Sequence, residues 1–188
     1  MDEEHEAVHI QLEERGEQLV ELTFSGQVTD EMTGVYPSYY RLEGEKKEII
    51  STQFQSHFAR QVFPSVDEPA AKARFDLSLT FDQEEGDIAL SNMPEIKVEE
   101  RLQTGIWTFA TTPRMSTYLL AFALGALHGQ RTTTKKGTQV GVYATRAQDL
   151  ASLDFSLDIA LGVIEFYEDY FGIAYPIPQC LHVALPDF

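Results

Sequence analysis

From Val8 to about Thr145, short segments of β-branched and aromatic residues alternate with polar ones and are punctuated by Gly, Pro, Asn and Asp. That pattern predicts strands joined by turns, over residues 19–28, 38–42, 48–54, 75–81, 88–91, 106–110, 118–127 and 139–143. Glu43-Gly44 and Asn92-Met93-Pro94 carry the composition of turns between them. After Gln148 the period changes. Leu153, Leu157, Leu161, Ile164, Tyr167 and Phe171 recur at steps of three and four, which places them on one face of a long amphipathic helix. Asp149 or Ser152 can cap its start, and Gly172 followed by Pro176 and Pro178 ends it. Residues 181–185 read as one more strand. The expected fold class is therefore mainly β, with an all-β region over 1–145 and a helix plus strand over 146–188. A lone helix and strand leave an apolar face uncovered, with three outcomes open: self-association, poor solubility, or docking onto the β region.

Composition narrows the function classes. With 43% hydrophobic and 23% charged residues among 188, the chain can build a packed core. Its 30 acidic and 14 basic side chains give a formal charge of −16, which repels phosphate backbones and anionic bilayers and favours cationic partners. Nucleic acid and membrane are thereby excluded as expected partners. Cys180 is the one cysteine, so no internal disulfide forms, and the cytoplasm is the expected compartment. The opening MDEEHEAVHI has neither a basic leader nor an apolar segment. The longest apolar run, residues 118–127, is about half of the ~20 residues a membrane helix needs.

His5-Glu6-Ala7-Val8-His9 spells H-E-x-x-H, the pattern in which two histidines one helical turn apart bind zinc beside a glutamate base. The surrounding residues argue against it. Val8, Ile10 and Leu12 alternate with His9, Gln11 and Glu13 at the period of a strand, and four strand residues span ~13 Å. Histidines that far apart cannot share one zinc, whose bonds to nitrogen are ~2.0–2.1 Å. His57, His128 and His182 stand isolated in sequence, and no serine or cysteine sits in a nucleophile elbow. Asp67-Glu68-Pro69 reads as a structural turn that Arg60 can hold shut through an ion pair, rather than as an acid–base dyad.

Residues 52–75, TQFQSHFARQVFPSVDEPAAKARF, resemble the front domain of the M1 zinc aminopeptidases, whose signature runs TQ-x-[QE] and then AR-x-x-FP-x-x-DEP-x-x-KA-x-F. GVYPSYY, SNMPE, MSTYLLAF, FYEDYFGIAYPIP and ALPDF follow the order of the family's landmarks, in the manner of its lactic-acid-bacterial branch. The resemblance implies an antiparallel β-sandwich or saddle-like amino-terminal domain over 1–145, lacking the family's opening strands, with residues 146–188 beginning the catalytic domain. It further implies removal of amino-terminal residues from peptides with the help of Zn2+. The zinc helix and a Gly-Ala-Met-Glu-Asn substrate loop follow ALPDF in the family. This stretch is thus expected to hold no metal ligand or catalytic residue and to be inactive alone.

A peptide's free ammonium calls for carboxylate or amide oxygens aimed at it. Gln53 and Gln55, two apart, would project from the same face of a strand. By resemblance, Gln55 contacts the substrate's amino terminus and Gln53 lines the pocket for its first side chain. Where other members carry Glu at position 55, Gln55 offers a dipole rather than a charge. Two further readings stay open: a non-catalytic M1-like binding or assembly module, and a sister branch that hydrolyses a lipid epoxide.

Overall fold

The computed structural model describes residues 7–11 and 15–187. In chain order the described strands are β1 (Gly34–Leu42), β2 (Glu45–Gln53), β3 (Ser78–Leu79), β4 (Ile88–Ser91), β5 (Trp107–Thr108), β6 (Phe122–Gly125), β7 (Leu127–Thr133), β8 (Gln139–Thr145) and β9 (Gln179–Ala184). The helices are α1 (Val98–Thr104) and α2 (Asp154–Phe171). The architecture is mainly antiparallel β, as the sequence pattern predicts.

Glu43 and Gly44 both take positive φ, 52° and 88°, the geometry of the two-residue turn whose twist matches that of a hairpin. It sets the register of β1 on β2, from Leu42 opposite Glu45 to Gly34 opposite Gln53. β6 pairs with β2 and β4 with β6, giving a front sheet in the order β1-β2-β6-β4. A second sheet runs β7-β8-β9, antiparallel between β7 and β8 and parallel between β8 and β9. A parallel neighbour needs a long crossover, and α2 supplies it.

Two layers of core follow from the strand alternation. One face of β8 offers Tyr143 to a cluster with Tyr40, Ile49, Leu90, Ala123 and Leu127, which Leu181, Val183 and Leu185 cover. The opposite face offers Val140, Val142 and Ala144 to Leu153, Leu157 and Ala160 at the start of α2 and just before it. Each large aliphatic side chain so buried contributes about 1.5–3 kcal/mol. Trp107, Phe109 and Met93 form a third cluster around the β3–β5 pair.

Three expectations are corrected. Residues 19–28 form no strand, and Leu19 is 96% exposed; β-type residues without a paired neighbour have no ladder to hold them. The single strand expected over 118–127 is divided between the two sheets. A 3-10 turn at Thr117–Leu119 precedes β6, Asn92 Oδ1 takes the Ala121 amide at 2.8 Å, and Gly125 at φ 125° lets the chain leave the front sheet for β7. On α2, Tyr167 and Phe171 lie exposed, and Glu168 takes the last buried position of the inner face instead.

Asp149 caps the 3-10 turn leading into α2, accepting from the Ala151 amide at 3.3 Å, and Gly172 ends the helix at φ 70°. Glu168, 3% exposed, accepts from Thr138 Oγ1 and from the Tyr175 amide, both at 3.0 Å. It thereby ties the helix end to the β7–β8 turn and to the approach to β9. Replacing Glu168 with Ala strands two donors, each at about 1–3 kcal/mol, and should lower the midpoint of chemical unfolding accordingly.

The Asp-Glu-Pro turn is structural. Asp67, whose side chain is 1% exposed, accepts from the Arg60 amide at 3.0 Å and from Thr117 Oγ1 at 2.5 Å, with Arg60 Nε at 3.4 Å. Burial alone would raise its pKa, but the bonds from Thr117 and Arg60 outweigh it and hold the carboxyl below its ordinary value. A carboxylate with a depressed folded-state pKa stabilises the fold above the unfolded value of ~4 and loses that contribution as the pH falls below it. The stability difference between wild type and Asp67→Ala, measured by urea unfolding, should therefore be largest near neutrality and shrink below about pH 4.

Candidate functional site

The wall singled out by the sequence lies at the far end of the β1–β2 hairpin. Thr52 fastens that end to β6: its Oγ1 accepts from the Phe122 amide at 2.9 Å and donates to the Phe122 carbonyl at 3.2 Å. Phe54, 1% exposed, plugs into a cluster with Ala59 and Leu120 and meets Phe63 edge-on at 5.9 Å. These contacts leave the residues on either side of Phe54 at the surface. β2 ends at Gln53, opposite Gly34, so Gln55 lies in the following turn and not on the strand face shared with Gln53.

The two glutamines nonetheless touch. Gln53 Oε1 accepts from the Gln55 backbone amide at 3.1 Å. The bond uses the carbonyl of Gln53 locally. Gln55 is exposed, and its carboxamide oxygen is a ready acceptor for a cation. Next to it, Ser56 Oγ meets His57 Nδ1 at 2.8 Å, and the His57 ring stacks on Phe58 at 4.7 Å.

The residue that follows Pro186 reaches the same strand pair from the other direction. The Asp187 amide donates to Ser38 Oγ at 2.9 Å, and the Tyr39 amide donates to Asp187 Oδ2 at 3.2 Å. The hydroxyls of Tyr36 and Ser38 lie 3.4 and 3.5 Å from the Asp187 carbonyl. Burial pushes the Tyr36 phenol up, and the negative charge of Asp187 adds to the shift. Ser38 and Tyr39 pair with Ile49 and Glu48, four and five residues before Gln53, so the exit of β9 sits about 13–17 Å along the strand from the end of the glutamine wall.

Between the front sheet and β9 lies a cleft of about 220 Å³, floored by small residues such as Ser51, Ser91 and Ala123 and roofed by Tyr175 and Gln179. Gln179 donates from Nε2 to the Ser91 carbonyl at 2.9 Å. Burial first, and then a bond with Cys180, push the Tyr175 phenol up to about 12, so it stays protonated at any ordinary pH. Cys180 Sγ stands 3.6 Å from His182 Nε2. Neither the Asp187 contacts nor this cleft is visible in sequence, because both arise from stacking one sheet on another.

The H-E-x-x-H candidates His5 and Glu6 lie outside the described residues; residues 7–11 form no helix, and His9 is exposed. Among the described residues, no three or more His, Cys, Asp or Glu side chains are gathered as a metal ion requires. The described part of the chain therefore does not fit zinc. No described helix is long and apolar enough to cross a membrane.

Residues 1–119 match the family described as the peptidase M1 N-terminal domain. Aminopeptidase N of Lactococcus lactis subsp. lactis is 67% identical over 189 residues, covering 100% of this chain and 22% of that protein. Aminopeptidase N of Lactobacillus helveticus is 52% identical over 186 residues, covering 99% of this chain and 22% of its own length. The puromycin-sensitive aminopeptidase of Caenorhabditis elegans is 39% identical over 173 residues, with 90% and 18% covered. The chain thus spans about a fifth of the length of the curated relatives it matches. A domain match over more than half of the chain, on an antiparallel β architecture with the expected hairpin, shows that this chain belongs to the M1 peptidase family and carries its N-terminal domain.

Proposed function

We propose that this chain forms one wall of the substrate pocket of an aminopeptidase, receiving the amino end of a peptide at Gln55 and flanking its first side chain with Gln53. The observation that carries the reading is that the Gln53–Gln55 turn and the Asp187 exit of β9 are borne by one strand pair. The relatives' shared name, aminopeptidase, supplies the substrate class. A surplus of acidic side chains favours a cationic peptide end over an anionic ligand. In this reading residues 1–145 are the front domain, residues 146–188 open the catalytic one, and the β8–β9 ladder is the joint between them. Zinc and the water-activating glutamate come from polypeptide that the relatives have beyond this stretch, and the chain by itself does not turn over peptides. A lone cysteine accords with a cytoplasmic setting.

Gln55 contributes a neutral oxygen, so a charge placed there should strengthen the contact. Gln55→Glu should bind trialanine roughly 3- to 10-fold more tightly than wild type, about 0.7–1.4 kcal/mol, as read by NMR titration. N-acetyl-trialanine should bind neither form. Equal binding of the free and acetylated peptides would refute the ammonium site. In an aminoacyl-chromogen assay with added zinc, the chain should show no turnover that a chelator abolishes; chelator-sensitive turnover would contradict the division of labour.

A further inference from the structure

β1 is the edge of the front sheet, and an edge strand shows one row of backbone amides to whatever lies beside it. Pro37 and Tyr39 are two apart, so their nitrogens face the same way. The first has no N–H, and the second donates to the Asp187 carboxylate. The outward side of β1 at this point thus has one donor, and Asp187 takes it. On the buried face, Ser38 is 0% exposed, and its hydroxyl receives the Asp187 amide. A single residue is therefore held by its main chain on the sheet face and by its side chain on the sheet edge, across 148 residues of sequence. Side-chain rotation alone cannot break both contacts, because they use different atoms of Asp187 and different aspects of β1.

From this geometry we propose that Asp187 is a positioning residue, a two-point clamp that fixes the exit of β9 on β1 and so holds it at a set distance from the Gln53–Gln55 turn. Its consequence for peptide binding rests on the reading of those glutamines given above. The clamp itself does not. Asp187 touches no substrate in this account; it acts by keeping the two sides of the pocket from drifting apart.

The test is made on the 188-residue chain with three variants: Asp187→Ala, Asp187→Asn and Ser38→Ala. Amide hydrogen exchange of Tyr39 reports the clamp directly. Protection should fall tenfold or more in Asp187→Ala and be largely kept in Asp187→Asn, whose carboxamide oxygen can still accept. Ser38→Ala should expose the Asp187 amide in the same way. Protection in the centre of the β1–β2 ladder should be unchanged, which separates loss of the clamp from unfolding. Trialanine affinity should then fall at least threefold in Asp187→Ala and recover in Asp187→Asn. Unchanged Tyr39 exchange in Asp187→Ala overturns the clamp. Lost protection with unchanged affinity overturns its positioning role. If wild type itself does not distinguish trialanine from its acetylated form, the glutamine reading falls, and the Tyr39 exchange alone decides for or against the clamp.

Discussion

Burial of Leu181, Val183 and Leu185 against the inner face of the front sheet is the interaction on which the arrangement rests. Those three side chains, at alternate positions on and just past β9, cover a cluster drawn from β1, β2, β4, β6, β7 and β8. Their period of two fixes the strand's rotation, and the parallel ladder to β8, from Gln139–Gln179 to Ala144–Ala184, fixes its height. Once both are set, Asp187 can emerge only beside β1. Slipping β9 by one residue would turn Leu181 and Val183 outward and carry Asp187 away from Ser38.

The same stacking explains which polar groups matter. Where the two sheets approach, several polar side chains find partners. Ser38 meets Asp187, Gln179 meets the Ser91 carbonyl, and Thr52 meets both backbone groups of Phe122. Glu168 does at the helix end what Asp67 does in the front loop. Each is a buried carboxylate that gathers a donor from a segment distant in sequence, Thr138 in one case and Thr117 in the other, beside a nearer one from Tyr175 or Arg60. Neither is placed to do chemistry on a substrate, since both are buried and hydrogen-bonded within the fold.

Much of this was legible in the chain. The Glu43-Gly44 turn, the strands flanking it, the α2 helix with its Gly172 stop and the Arg60–Asp67 bond are local or short-range, and their residue types announce them. What stayed hidden depends on partners. β7 contains His128, Gln130 and Arg131 and shows no apolar alternation; it is a strand because β8 offers a complete ladder. α1 buries no residue, its apolar pair Val98 and Leu102 being exposed, and only Glu99 and Glu100 in its first turn and Gly105 after it mark it in sequence. Residues 19–28 show the converse case, in which strand-type side chains without a partner make no strand. For the site, spacing singled out Gln53 and Gln55 but put them on one strand face, which the structure does not show. The strand stops one residue earlier than alternation suggests, and contact comes through a side chain folding back onto a backbone amide.

The central claim is that β9 is seated on the front sheet by its apolar side chains and thereby delivers Asp187 to β1. Methyl-detected nuclear Overhauser spectroscopy of the chain in solution tests it most directly. The account predicts cross-peaks from the methyl groups of Leu181, Val183 and Leu185 to side chains of the Tyr40–Ile49 cluster, accompanied by one between Asp187 and Ser38. Cross-peaks from β9 to β8 alone, with none to Tyr40, Ile49 or Ser38, would contradict it.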